Sequence, residues 1–182
     1  MIFSEKEIIL KNGEKCILRP VSKNDAKSMI EYLRMVSGET PFLLRNEDEV
    51  NYTIEDEETL LDNKRNAPRE IMMVADVNGI IAGNCGIVSN GNLRRVYHRC
   101  GFAIALKQAY WNLGIGTSMI EYALALAKEM GYEQAELEVV DGNGRAKNLY
   151  EKVGFVEEGK NIRALKSDDG TYRDEYKMIK IL

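Results

Sequence analysis

The stretch Trp111-Asn112-Leu113-Gly114-Ile115-Gly116-Thr117 follows an apolar run and opens an amphipathic one. A turn of this composition points several backbone N–H groups at one spot, with the positive end of a helix behind them. Glycines at 114 and 116 remove the Cβ atoms that would hold a ligand away from the backbone. A phosphate-bearing ligand suits such a turn, although glycines at a strand–helix junction also serve as plain tight turns. Met119 stands where the third glycine of a dinucleotide-binding turn would be, and no Gly-Lys-Ser/Thr closes a P-loop. Further along, Tyr150 shares a helical face with Ala146, Leu149 and Val153. A phenol with an ordinary pKa near 10 keeps its proton at neutral pH and can give it to a departing anion. Read by packing alone, the same tyrosine is a core residue.

Other titratable groups offer less. His98 can titrate near neutral pH, yet a lone strand histidine also serves structure. Glu138 lies on the strand before the Tyr150 helix and could deprotonate an amine through water, or alternation could send it to solvent. Three cysteines, Cys16, Cys85 and Cys100, show no metal-ligand spacing, and with one histidine there is no zinc set; the metal expectation is none. Cys100 lacks an activating neighbour and reads as a small buried hydrophobe. Seven acids fall within Glu47–Glu58, which fits either a solvated helix face or a local negative field drawing a cationic amine.

These residues must be positioned by one fold. With 182 residues, 45% apolar and 30% charged, the composition is that of an ordinary globular chain, taken as one domain over 1–182. A net charge of −4 gives nucleic acid no electrostatic footing. No signal-peptide pattern or membrane-length apolar run occurs, and the odd cysteine count fits a reducing compartment; the location expected is cytoplasmic.

Asn12-Gly13 and Asn78-Gly79 each separate two β-prone runs and predict hairpins, the second between 71–77 and 80–88. Ser22 is a plausible N-cap for a helix carrying Ala26, Met29, Ile30, Leu33 and Val36, and a second helix is expected over about 54–66. Asn90-Gly91-Asn92 leads into a long strand, about 93–106. A helix over about 114–130 follows the glycine turn and stops at Gly131. A strand at 135–140, a short helix at 143–153 capped by Asn143, and two strands joined through Asp168-Asp169-Gly170 complete the chain. Hairpins mixed with a crossover make an α/β domain on a mixed sheet.

Two segments together resemble a known family. They are Ile104-Ala105-Leu106 with the glycine turn, and Leu137-Glu138-Val139 with Asn143-Gly144-Arg145-Ala146-Lys147-Asn148-Leu149-Tyr150-Glu151-Lys152-Val153-Gly154-Phe155. The pair is similar to the acetyl-CoA-binding core of the GCN5-related N-acetyltransferase (GNAT) superfamily. The tail from Glu158 to Met178 looks like its bacterial amino-acid and ribosomal-protein acetyltransferase branches.

The resemblance implies a mostly antiparallel mixed sheet of about seven strands flanked by helices and splayed at strands 4 and 5. It implies acetyl-CoA as co-substrate, held by Ile104, Ala105, Leu106, Trp111, Asn112, Leu113, Gly114, Ile115, Gly116, Thr117, Asn143, Ala146 and Tyr150. Pantetheine would lie along 104–106 like an added strand. Tyr150 would be the general acid, with His98 and Glu138 as candidate bases. The reaction would be direct attack by a primary amine of a small molecule or a protein N-terminus, with no nucleic acid or membrane partner and a homodimer left open. A non-catalytic acyl-CoA-binding or sensory domain would carry the same fold. Two departures stand out. The family usually places Arg or Gln where this chain has Trp111, and Gly101 occupies a strand position that often carries an acid. Arg145 and Lys147 could reach the cofactor's phosphates or be solvated.

Overall fold

The computed structural model describes residues 1–182. The strands are β1 (Lys6–Ile9), β2 (Lys15–Pro20), β3 (Ile71–Val77), β4 (Ile80–Ser89), β5 (Arg99–Leu106), β6 (Gln134–Val140), β7 (Val156–Lys166) and β8 (Tyr172–Ile181). The helices are α1 (Ala26–Glu39), α2 (Ile54–Asn66), α3 (Ile115–Glu129) and α4 (Gly144–Lys152). One eight-stranded sheet runs in the order β1-β2-β3-β4-β5-β6-β8-β7. Eight strands are one more than the resemblance implies, and β1 at the edge shifts the count.

Local chemistry sets these elements. Asn78 and Gly79 both take positive φ, 53° and 83°, so β3 and β4 meet in a two-residue turn whose twist matches the strands. Ser22 accepts from the N–H of Asn24 at 3.3 Å and caps a short helical turn that runs into α1. α3 ends where Gly131 adopts φ 83°. The strand expected from residue 93 begins only at Arg99. The N–H of Val96 closes on Leu93 O and that of Arg99 on Val96 O, so this segment folds into turns before the strand begins.

Period-two alternation gives the sheet two apolar faces. Met73, Ala75, Cys85, Phe102, Leu137 and Val139 pack against α3 and α4. Val74, Ile81 and Val21 pack against Met29, Tyr32 and Val36 of α1 and Leu61 of α2. Burying a side chain of this size stabilises by about 1.5–3 kcal/mol, which ties the helices to opposite faces and leaves the sheet between them.

Every adjacent pair is antiparallel except β5 and β6. Those two run parallel and pair only from Arg99–Gly101 to Gln134–Glu136. Beyond Gly101, β5 stays with β4 as far as Leu106, and β6 stays with β8 as far as Val140. The sheet therefore splits into a V between its fifth and sixth strands, the pair expected to splay once β1 is counted.

Candidate active site

A cavity of about 790 Å³ fills this V and continues beneath α1. Its wall on the β5 side is main chain. Asn84 and Ala105 face each other across β4 and β5, and the hydroxyl of Tyr32 stands between them. It accepts from Asn84 N–H at 3.1 Å and donates to Ala105 O at 2.7 Å. Because backbone polar groups alternate sides along a strand, those of Ile104 then point away from β4, beyond the last β5–β6 pair and into the open V. An extended amide ligand would find unpaired donors and acceptors there, as an added strand does.

At the end of β5 the chain turns through Asn112 (φ 63°) and Gly114 (φ 97°) into α3. Ser118 is the first helix N–H with a main-chain acceptor, Gly114 O at 3.2 Å. The N–H groups of Leu113, Gly114, Ile115, Gly116 and Thr117 have no protein acceptor. This is an anion cradle at a helix N-terminus. Asn112, Gly114, Gly116 and Thr117 line the cavity, whereas the fully buried Ile115 side chain turns into the core and Leu113 packs against it. A Cβ on Gly116 would meet Leu149 Cδ2 at 3.0 Å, so this glycine lets α4 approach α3.

That approach places Tyr150. It is 6% exposed, lines the cavity and packs edge-on against Phe155 with ring centroids 6.0 Å apart. Burial, with the neighbouring Cys85 thiol adding to it, pushes its phenol well above the ordinary value, so the proton is held at neutral pH. No protein hydrogen bond engages its hydroxyl. Asn143 caps α4, its Oδ1 accepting from Ala146 N–H at 3.3 Å, and both residues line the cavity. The cap uses only the amide oxygen, leaving the NH2 free for a ligand.

Of the two basic candidates on α4, Lys147 is tied to Glu157 at 2.8 Å. Arg145 instead lies over the Trp111 ring and lines the cavity. Trp111 is itself fixed by Nε1 donating to Leu106 O at 2.8 Å.

The candidate bases separate. His98 is not brought to the cavity. It precedes β5 at the end where β5 and β6 still pair, and its carbonyl accepts from the N–H groups of Glu133 and Gln134. At about 3.3 Å per residue, the strand puts it roughly 20 Å from Ile104. Glu138 does line the cavity, and β8 adds Glu175, which sequence reasoning missed. Val140 pairs with Glu175 and Glu138 with Lys177, so the two carboxylates are diagonal neighbours on one face. Burial, then the charge of Glu138, raises the Glu175 pKa above the usual glutamate value. Only the β6–β8 register reveals this pair, and no local pattern carries it.

The acidic run has a local account. Asn46 and Glu49 form a capping box, Thr53 caps α2, and Glu55, Asp56 and Glu57 occupy the favourable first turn of that helix. None of the seven acids lines the cavity. Cys100 is buried, its thiol pushed up to about 12 chiefly by desolvation, which leaves it inert. No group of three or more His, Cys, Asp or Glu side chains could hold a metal, and no helix is long and apolar enough to cross a membrane.

A V-split sheet, unpaired N–H groups at a helix N-terminus and a buried phenol lining the same cavity define an α/β domain open to an extended, anionic ligand. The model of the Acetyltransferase (GNAT) family matches residues 40–155, well over half of the chain. A GNAT-family acetyltransferase from Streptococcus pneumoniae superposes with TM-score 0.86 at 32% identity, over 92% of this chain and 99% of that one. A putative acetyltransferase from Salmonella typhimurium, with its cofactor acetyl-CoA, shares the fold at TM-score 0.79 and 14% identity, covering 92% and 94%. An N-alpha-acetyltransferase from Sulfurisphaera tokodaii is 41% identical over 56 residues, 30% of this chain. The matched segment spans 34% of that relative's length. This chain belongs to the Acetyltransferase (GNAT) family, whose acyl donor is acetyl-CoA.

Proposed function

We propose that this chain is an acetyl-CoA-dependent N-acetyltransferase that transfers acetyl to a primary amine by direct attack, with Tyr150 as general acid. Acetyl-CoA supplies the activated acetyl thioester. The residues present fit it: the N–H groups of 113–117 suit its diphosphate, and the unpaired edge of β5 suits its pantetheine amides. The observation that carries the reading is Tyr150, a buried phenol that lines the cavity and is free of protein hydrogen bonds. Burial keeps its proton in place for the departing sulfur.

The amine must lose a proton as well. Glu138 and Glu175 line the same cavity, and burial, then the charge of Glu138, raises the Glu175 pKa, the direction that makes a carboxylate a better base. We assign them to accept that proton through ordered water. The acceptor enters beneath α1, where Leu33, Val36, Phe42 and Leu43 form an apolar wall. A primary amine on a small molecule or a protein N-terminus is the acceptor class. The test is CoA release from acetyl-CoA with a panel of amino acids, polyamines and peptides. Turnover on one class supports the reading. Tight acetyl-CoA binding with no turnover on any amine would make the chain an acyl-CoA sensor instead.

A further inference from the structure

We propose that Arg173 binds a carboxylate of the acceptor, so that the acetylated amine belongs to a small molecule carrying both groups, as an amino acid does. This rests on the acetyltransferase reading above and narrows its acceptor. Arg173 is half-buried on β8, and its Nε is the one buried side-chain nitrogen or oxygen without a hydrogen-bond partner. The nearby acids are engaged elsewhere. Asp141 and Asp174 both pair with Lys160, and Asp169 accepts from the N–H and hydroxyl of Thr171. A buried donor on a cation is costly until an acceptor completes it.

The surroundings of Arg173 place that acceptor atom beside the cavity, at the end away from the glycine turn. The guanidinium carbon lies 5.6 Å from the Phe42 ring centroid, a cation–π contact. A Cβ on Gly142 would stand 3.8 Å from Phe42 Cε1 and 3.9 Å from Arg173 Nη1. Phe42, Val140, Asn143 and Glu175 all line the cavity, and Arg173 borders that wall. Same-face neighbours on a strand are about 7 Å apart, so Arg173 shares the face of Glu175 one step farther from Glu138. Two glutamates with a cation beside them match a zwitterion: the carboxylates draw its amine and the arginine its carboxylate. A carboxylate suits this place better than a phosphate, because Glu138 and Glu175 oppose a dianion more strongly than a monoanion. The arginine fork takes both carboxylate oxygens at once. A protein N-terminus has a neutral peptide group in that position and would leave Arg173 unpaired.

The probes are α- and ω-amino acids, the carboxamide of each, and peptides blocked at the C-terminus. CoA release would be followed on wild type, Arg173→Gln and Arg173→Lys. Wild type is expected to turn over an amino acid with kcat/KM about 10–100-fold above that of its carboxamide, the scale of one charge-assisted contact. Arg173→Gln should erase that preference by raising KM for the acid with kcat little changed, and Arg173→Lys should recover part of it. Comparing the acid-to-amide ratio between proteins cancels the different amine pKa of the two probes. Acetyl-CoA affinity by calorimetry should be unchanged in both variants, which shows them folded and separates the acceptor's anchor from the donor site. An acid-to-amide ratio equal in wild type and folded Arg173→Gln would overturn the proposal. Turnover of carboxamides and blocked peptides alone would overturn it too, while leaving the acetyltransferase reading standing. Acetyl-CoA binding with no turnover on any amine would remove that reading and this proposal together.

Discussion

Glu175 and Glu138 show how two ordinary side chains become a candidate base. Glu138 is legible alone as a candidate and Glu175 is not; across β6 and β8 they share one face, and the like charge of Glu138 adds to burial in raising the Glu175 pKa. A raised carboxylate pKa means the base form appears only as pH climbs past the usual glutamate range. The rise of kcat/KM with pH should therefore lie above that range. Removing the like charge with Glu138→Gln should move it to lower pH, and Glu175→Gln should abolish it while lowering the rate by about 10²-fold. A pH–rate profile that neither variant alters would show that the free neutral amine reacts without a protein base. The same shift works against the fold: stability from a neutral Glu175 is full below its unfolded pKa and is lost as pH rises through the folded value.

Elements decide what such residues can reach, and here the legibility of the sequence divides. The glycine turn, the Asn143 cap and the inward face of Tyr150 are local patterns, readable because a helix repeats every 3.6 residues and caps sit at fixed offsets. Arg145 on Trp111, Tyr32 between β4 and β5, and Glu175 beside Glu138 join residues far apart in sequence, and only tertiary packing and strand register expose them. His98 drew notice as the chain's one histidine, but it stands just before β5 at the paired end of the V. Gly116 is also more than a phosphate contact, because a side chain there presses Leu149 of α4. Gly116→Val should accordingly lower stability by about 1–3 kcal/mol as well as weaken CoA. Thermal melting with calorimetry would check this, and a loss of CoA affinity at unchanged stability would return Gly116 to a purely ligand-facing role.

Tyr32 belongs to the same scale. Its hydroxyl replaces one rung of the β4–β5 ladder and ties α1, which roofs the acceptor space, to the strand that would bind pantetheine. Tyr32→Phe removes both bonds and leaves Asn84 N–H and Ala105 O buried without a partner, a cost of about 1–3 kcal/mol. If Tyr32 positions β5, kcat should fall more than the acetyl-CoA affinity, and the melting shift alone should not account for it. A lower melting temperature with unchanged kcat would make the tyrosine structural only.

At the scale of the whole molecule, one cavity runs from the glycine turn through the split sheet to α1, and Tyr150 lines it. In the proposed reading the donor would come along the V from the glycine turn and the acceptor from beneath α1. The central claim is that this phenol delivers the proton that lets the sulfur leave. Tyr150→Phe keeps the ring against Phe155 and deletes only the hydroxyl. The decisive measurement is its kcat with the best amine of the panel, beside its acetyl-CoA affinity by calorimetry. The account predicts a fall in kcat of about 10²–10⁴ with affinity nearly unchanged, and a folded variant that turns over at the wild-type rate would contradict it.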